Sequence, residues 1–201
     1  MGENSEVSFS GQQEGERVIS TVVPHKFSLI VNYLKFIVIS VVLLVGFISL
    51  KEISSLFVTV GVIISILVLV LGILICRLLY LKTITYITDR RIVRFKPSNV
   101  FVVTNRSLTW DNVLKTKTFP PNLIWRILNI GNVVVHSKTT STGDNDPKQI
   151  LIGNDDILLK DVYFYKDLGN YIEKITYTYT NNPSELENMR SFVVKKKGQR
   201  Y

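Results

Sequence analysis

Two histidines and one cysteine are the imidazole and thiol groups that this chain offers for metal binding or nucleophilic chemistry. His25 precedes a long apolar run, His136 falls in a predicted strand and Cys76 closes a second apolar run, so neither a zinc ligand set nor a Cys–His pair can be assembled. Asp155 and Asp156 are adjacent acids before a predicted helix, a pattern of solvated turns more than of metal sites. No Walker loop, GxGxxG or nucleophile elbow occurs. The expectation is a chain that is not an enzyme, with no catalytic, cofactor-binding or metal residues and no cofactor.

Basic residues are the more informative group. Arg90, Arg91, Arg94 and Lys96 fall close together, and guanidinium and ammonium groups so gathered are candidate contacts for a lipid phosphate. Lys195 to Arg200 forms a second cluster. From Arg77 onward there are 20 Lys and Arg against 11 Asp and Glu, so this part carries all of the excess behind the net charge of +8. Each basic group near an anionic leaflet contributes about 1 kcal/mol, an attraction that fades within a Debye length of about 8 Å. The plainer reading of the same residues is a topology signal and a solvated sheet face. Nucleic acid is not an expected partner, because a basic excess alone lacks a stacking platform or a groove-reading helix.

These groups are positioned by what precedes them. Leu56 to Ile75 contains no charged residue, and roughly 20 residues at about 1.5 Å each match a hydrocarbon core of about 30 Å. Phe36 to Leu50 is apolar but short, and extends back to Phe27 only by including Asn32 and Lys35. A lysine near a helix end can lie along apolar surface while its ammonium reaches the headgroups. Lys51 to Ser55 is too short a connection for anything but antiparallel neighbours. Lys26, Lys35, Arg77 and Lys82 are the expected membrane-flanking anchors. The connecting loop carries one charge of each sign, whereas Lys26, Arg77, Lys82, Arg90 and Arg91 lie on the other side, which predicts that both termini are cytoplasmic. Gly61 and Ser65, four apart, could admit a neighbouring helix.

Four parts are expected: a flexible arm over 1–24, a transmembrane hairpin over 25–82, a cytosolic domain over 83–176 and a basic, weakly ordered tail over 177–201. Thr83 to Thr88 and Arg91 to Lys96 read as strands meeting at Asp89-Arg90, with Val100 to Thr104 next and one or two more strands within Ser107 to Thr118. Pro120, Pro121 and Asn122 break the sheet and start a short helix through Leu128. Asn132 to Ser137 is a strand, Lys138 to Pro147 a loop and Gln149 to Ile152 a strand. Tyr165, Leu168, Ile172 and Ile175 make one apolar stripe on a helix over Val162 to Ile175, with Asp161 as its N-cap.

Several segments resemble the membrane-anchored bacterial pleckstrin-homology-like (PH-like) family. Tyr86-Ile87-Thr88-Asp89-Arg90-Arg91-Ile92-Val93 is similar to its strand-turn-strand, and Leu108 to Val113 to its Ile-Pro-Leu-x-x-Ile segment. Trp125-Arg126-Ile127-Leu128-Asn129-Ile130-Gly131-Asn132-Val133-Val134-Val135 is similar to its Gly-Arg-Leu-Leu-Gly-x-Gly-x-Val-x-Val, with Trp125 and Asn129 at positions that often hold glycine there. Glu14-Gly15-Glu16-Arg17-Val18 and Pro24-His25 resemble its entry to the first helix. The resemblance implies an α+β membrane protein in which a transmembrane α-helical hairpin precedes a PH-like β-barrel or sandwich with a C-terminal capping helix. The function expected from it is a non-enzymatic scaffold in the cell membrane, presenting this domain to a membrane-protein partner or to copies of itself. The alternatives are a sensor of anionic phospholipid headgroups and an accessory subunit of a membrane transport or secretion complex.

Overall fold

In a computed structural model of the chain, which describes residues 8–52, 55–139 and 155–194, the two apolar stretches are helices α1 (Lys26–Ser49) and α2 (Ser55–Leu81). Their 24 and 27 residues run about 36 and 40 Å, both longer than a hydrocarbon core. His25 caps α1, its Nδ1 accepting the Phe27 N–H at 3.1 Å. The two helices pack through small residues: Phe36 lies against Gly72 and Phe47 against Gly61, where a Cβ would collide with the ring. Ser40 Oγ donates to the Ser65 carbonyl at 2.8 Å. Gly61, Ser65 and Gly72 are the buried residues of α2, so the small-residue spacing is used inside the hairpin itself. Aliphatic side chains such as Ile30, Val42, Leu56 and Ile63 face outward. The segment Pro97–Val103 belongs with this helical unit. Lys82 Nζ donates to the Val100 carbonyl at 2.5 Å, and Asn99 Oδ1 accepts the N–H groups of Phe101 and Val102.

Among the described residues, the second unit is built on two antiparallel sheets. β1 (Val18–Val22), β2 (Ile84–Thr88), β3 (Arg91–Pro97) and β4 (Val103–Thr109) form one in that order; β5 (Val113–Phe119), β6 (Ile130–Ser137) and β7 (Ile157–Tyr163) form the other. Ile87 pairs with Ile92, so β2 and β3 join through the two-residue turn Asp89-Arg90, as the sequence predicts. A 3-10 turn at Trp110–Asn112 passes the chain from one sheet to the other. The core takes alternate residues of the strands, among them Ile87, Ile92, Leu108, Val133, Val135 and Leu159, and α4 (Tyr165–Asn181) seals it with the stripe Tyr165, Leu168, Ile172 and Ile175. Gly131 lets the Tyr165 ring approach the β6 backbone, where any Cβ would meet it.

Several boundaries differ from expectation. β1 is drawn from the expected arm, because Val18–Val22 supplies apolar side chains to an edge that β2 would otherwise leave open. β4 starts at Val103 and not Val100, since Asn99 closes a turn over Phe101 and Val102. Asp161 is not the N-cap of α4: Val162 and Tyr163 pair with Gly131 and Ile130, which keeps them in β7 and delays the helix to Tyr165. The tail also contributes order, for Pro183–Asn188 is a 3-10 helix with Leu186 in the core. Most of the expected loop Lys138 to Pro147, the strand Gln149 to Ile152 and the cluster Lys195 to Arg200 lie outside the described residues.

Candidate functional site

The arginine turn is occupied by the chain's own N-terminal segment. Glu16, only 4% exposed, receives hydrogen bonds at 2.9 Å from both Nε and Nη2 of Arg91, one at 2.8 Å from the Thr88 hydroxyl and another at 2.8 Å from the Gln13 N–H. Burial alone would raise its pKa, but these donors together outweigh burial and hold the carboxyl below its ordinary value. Arg17 completes the lock, its N–H donating to Asp89 Oδ1 at 3.0 Å while its carbonyl accepts the Asp89 N–H. The sequences Glu16-Arg17 and Thr88-Asp89-Arg90-Arg91 are thus two halves of one joint.

The four candidate phosphate contacts are therefore not one cluster. Arg90 is exposed at the turn and Arg91 is paired with Glu16. Along β3 the side chains alternate, so Arg94 and Lys96 share the other face with Ile92. Arg94 is 9% exposed. Burial, and secondarily the charge of Arg106 on β4, lower its pKa to about 10. Lys96 is shifted down as well, by burial first and then by Arg94, Lys160 and Arg106. Arg106, on the neighbouring strand β4, and Lys160, on β7, are cations that sequence reasoning passed over. Of the anchor residues, Lys26 opens α1 and Arg77 is exposed near the end of α2. Lys35 Nζ lies 3.4 Å from Asn32 Oδ1, and Lys82 closes onto Val100.

A third feature is α3 (Leu123–Ile127), the short helix expected after the proline pair. Asn122 caps it, accepting the Trp125 N–H at 3.0 Å, and Trp125 Nε1 donates to Asp161 Oδ1 at 2.8 Å. Three non-glycine residues in left-handed conformation surround this corner: Asn129 at φ 54°, Asp161 at 53° and Phe164 at 50°. Asn and Asp tolerate that region, whereas a bulky Phe there is a true outlier. The Phe164 N–H donates to the Asn129 carbonyl at 2.8 Å, joining two of them. The corner holds α3 while leaving Leu123 (69%), Ile124 (58%) and Ile127 (71%) exposed.

Asp156, which the sequence predicts as a solvated turn residue, is 2% exposed. Its carboxylate binds His136 Nδ1 at 2.8 Å and accepts the Ser137 N–H at 2.9 Å. It thereby ties the start of β7 to the end of β6, with His136 Nε2 buried and without a partner among the described residues. Such a pair orients an imidazole, but no nucleophile is placed at Nε2 among the described residues. No group of three or more His, Cys, Asp or Glu suited to a metal ion occurs among them. No protein-family model matches the chain, and neither a curated protein nor a solved structure matches it.

Proposed function

We propose that this chain is an integral membrane protein whose α1–α2 hairpin crosses the bilayer twice and holds a PH-like domain at the cytoplasmic face as a non-enzymatic scaffold, binding a protein partner or copies of itself. The observation that carries the reading is the allocation of side chains on the hairpin: glycine and serine face inward, and a nearly uninterrupted aliphatic surface faces outward. A surface of that kind is stable in lipid and costly in water. Phe101, 92% exposed on the segment clamped to the end of α2 by Lys82, adds an apolar residue suited to the bilayer interface. The charges beside the helix ends, Lys26, Arg77 and Lys82 against Lys51 and Glu52 in the connection, support the cytoplasmic orientation.

The PH-like assignment is supported by the run of seven described strands closed by α4, and by the left-handed Asn129 at a position where that family often has glycine. The docking role rests on α3, whose exposed aliphatic face is held in place by the Trp125–Asp161 bond. The test is light scattering of the full chain in detergent, with co-purifying proteins identified by mass. The unaltered chain should form a discrete oligomer or carry a stoichiometric protein, and Leu123→Ser with Ile127→Ser should abolish it. A monomer without partners in both forms would sink the scaffold reading. Release from membranes by alkaline extraction would sink the membrane reading.

A further inference from the structure

The link between β3 and β4, Pro97–Val103, is apolar where loops are usually polar. It contains no charged side chain, and three consecutive residues turn outward: Phe101 is 92% exposed, Val102 50% and Val103 40%. Leu81, the last residue of α2, is exposed as well. Single apolar residues on a surface are ordinary, but a contiguous run of them marks a contact. The link belongs to the helical unit and not to the sheets. Lys82, directly after α2, holds it there by donating to the Val100 carbonyl. An ammonium expected among the headgroups thus takes a carbonyl of the link.

The backbone of the link is paired within the chain. Asn99 Oδ1 accepts the N–H groups of Phe101 at 2.9 Å and Val102 at 2.8 Å. The Val102 carbonyl accepts the N–H groups of Ser98 at 2.9 Å and Asn99 at 3.4 Å. With Lys82 on the Val100 carbonyl, four N–H groups and two carbonyls of the link are matched without water. A loop in water gains little from this, since water serves the same groups. A loop that enters lipid requires it, because an unmatched peptide group finds no partner there. A protein partner brings donors and acceptors of its own, so it sets no such requirement. Helix length places the link at the right depth. The 27 residues of α2 run about 40 Å, against about 30 Å of hydrocarbon and about 40 to 45 Å with both headgroup layers. The end of α2 therefore stands in a headgroup layer, and the link that Lys82 holds stands at that level.

We propose that Phe101, Val102 and Val103 enter the cytoplasmic leaflet beside α2, which makes the β3–β4 link a third membrane contact of the chain. The proposal rests on the hairpin being membrane-spanning and is independent of any docking at α3. The occupant of this surface is the acyl region just beneath the headgroups, met by apolar area and not by charge. Asn99 is the positioning residue, because its side chain matches the two N–H groups that Phe101 and Val102 would otherwise carry unpaired into lipid. A third contact also keeps the end of α2 from turning about its own axis in the bilayer.

The test places the full chain in phosphatidylcholine nanodiscs with one nitroxide at a time. The labels go on Phe101→Cys, on Leu67→Cys in the lipid-facing surface of α2 and on Glu173→Cys in the exposed face of α4, each in a Cys76→Ser background. Collision with oxygen, which concentrates in lipid, is compared with collision with a water-soluble nickel chelate. Leu67→Cys should favour oxygen and Glu173→Cys the chelate. Phe101→Cys should side with Leu67→Cys, its chelate collision rate lying several times below that of Glu173→Cys. Adding Asn99→Ala should raise the chelate rate at position 101 severalfold and leave Leu67→Cys unchanged; no change at 101 would overturn the role given to Asn99. A preference for the chelate at 101, with Leu67→Cys still in lipid, overturns the proposal and leaves the membrane reading standing. Shielding of 101 from both reagents means that protein covers it, and overturns the proposal as well. If Leu67→Cys itself favours the chelate, the membrane reading fails and the proposal fails with it.

Discussion

Two ends of one strand treat arginine in opposite ways. At the start of β3, Arg91 meets the buried carboxylate of Glu16 in two hydrogen bonds, and the Thr88 hydroxyl and Gln13 N–H satisfy the same carboxylate. Three residues on, Arg94 is buried deeper than Arg91 and has cations for neighbours. Residue type does not separate the two, and neither does distance along the chain. Alternation does: Arg91 points to the face where the N-terminal segment returns, and Arg94 to the other face, where Arg106 of β4 adds to its charge. An acid placed against a buried charge offsets its hydration cost, and a buried charge without one leaves that cost in the fold.

The largest effect should come from undoing the pair at the turn. Glu16→Ala leaves Arg91 beside a vacated pocket and frees the segment that carries β1; breaking a buried ion pair in this way costs roughly 3 to 5 kcal/mol. The measurement is chemical denaturation of the full chain in detergent. A loss below about 1 kcal/mol would mean that the turn is no better matched than the cluster, and the comparison would fail.

Acid should reproduce part of that loss without mutation. The folded-state pKa of Glu16 is held below the ordinary 4.5, so its contribution is fully present above that value and is lost as pH falls through the lower, folded-state pKa. The unfolding temperature of the unaltered chain should therefore fall more steeply below pH 4.5 than that of Glu16→Gln. Parallel curves would remove Glu16 from the account. A smaller net change is expected from Glu16→Leu combined with Arg91→Met, because replacing both charges by apolar groups removes the hydration cost along with the attraction. The double variant should lie closer to the unaltered chain than either single change, and a double-mutant cycle measures the coupling.

The joint and the cluster differ equally in how far they can be read from sequence. The strands around Asp89-Arg90, the short helix after Asn122 and the stripe Tyr165, Leu168, Ile172, Ile175 follow from local period and turn chemistry, and the structure has them. That Glu16 reaches Arg91, or that Arg106 acts on Arg94, depends on a pairing across 75 residues in the first case and on the β3–β4 pairing in the second. No local pattern encodes either. Four basic residues clustered along the chain looked like one site, but the two-residue period of a strand splits them between faces. Asp156 shows the same limit in reverse, for a turn-like Asp-Asp pair hid a carboxylate that closes onto His136. The left-handed Asp161 likewise kept Val162 and Tyr163 in a strand where helical periodicity had claimed them.

The smallest effect is the most discriminating, because it asks whether the cluster can be turned into a joint. Arg106→Glu sets a carboxylate across the β3–β4 pair from Arg94, removing a repulsion and supplying the attraction that Glu16 gives Arg91. Position 106 is exposed, so the new pair is screened by water and the gain in stability should be no more than roughly 1 kcal/mol. The measurement is chemical denaturation in detergent, and the Glu16-dependent acid transition should stay where it was. If instead the variant is destabilised, then Arg94 is already satisfied within the fold, and the two ends of β3 are alike after all.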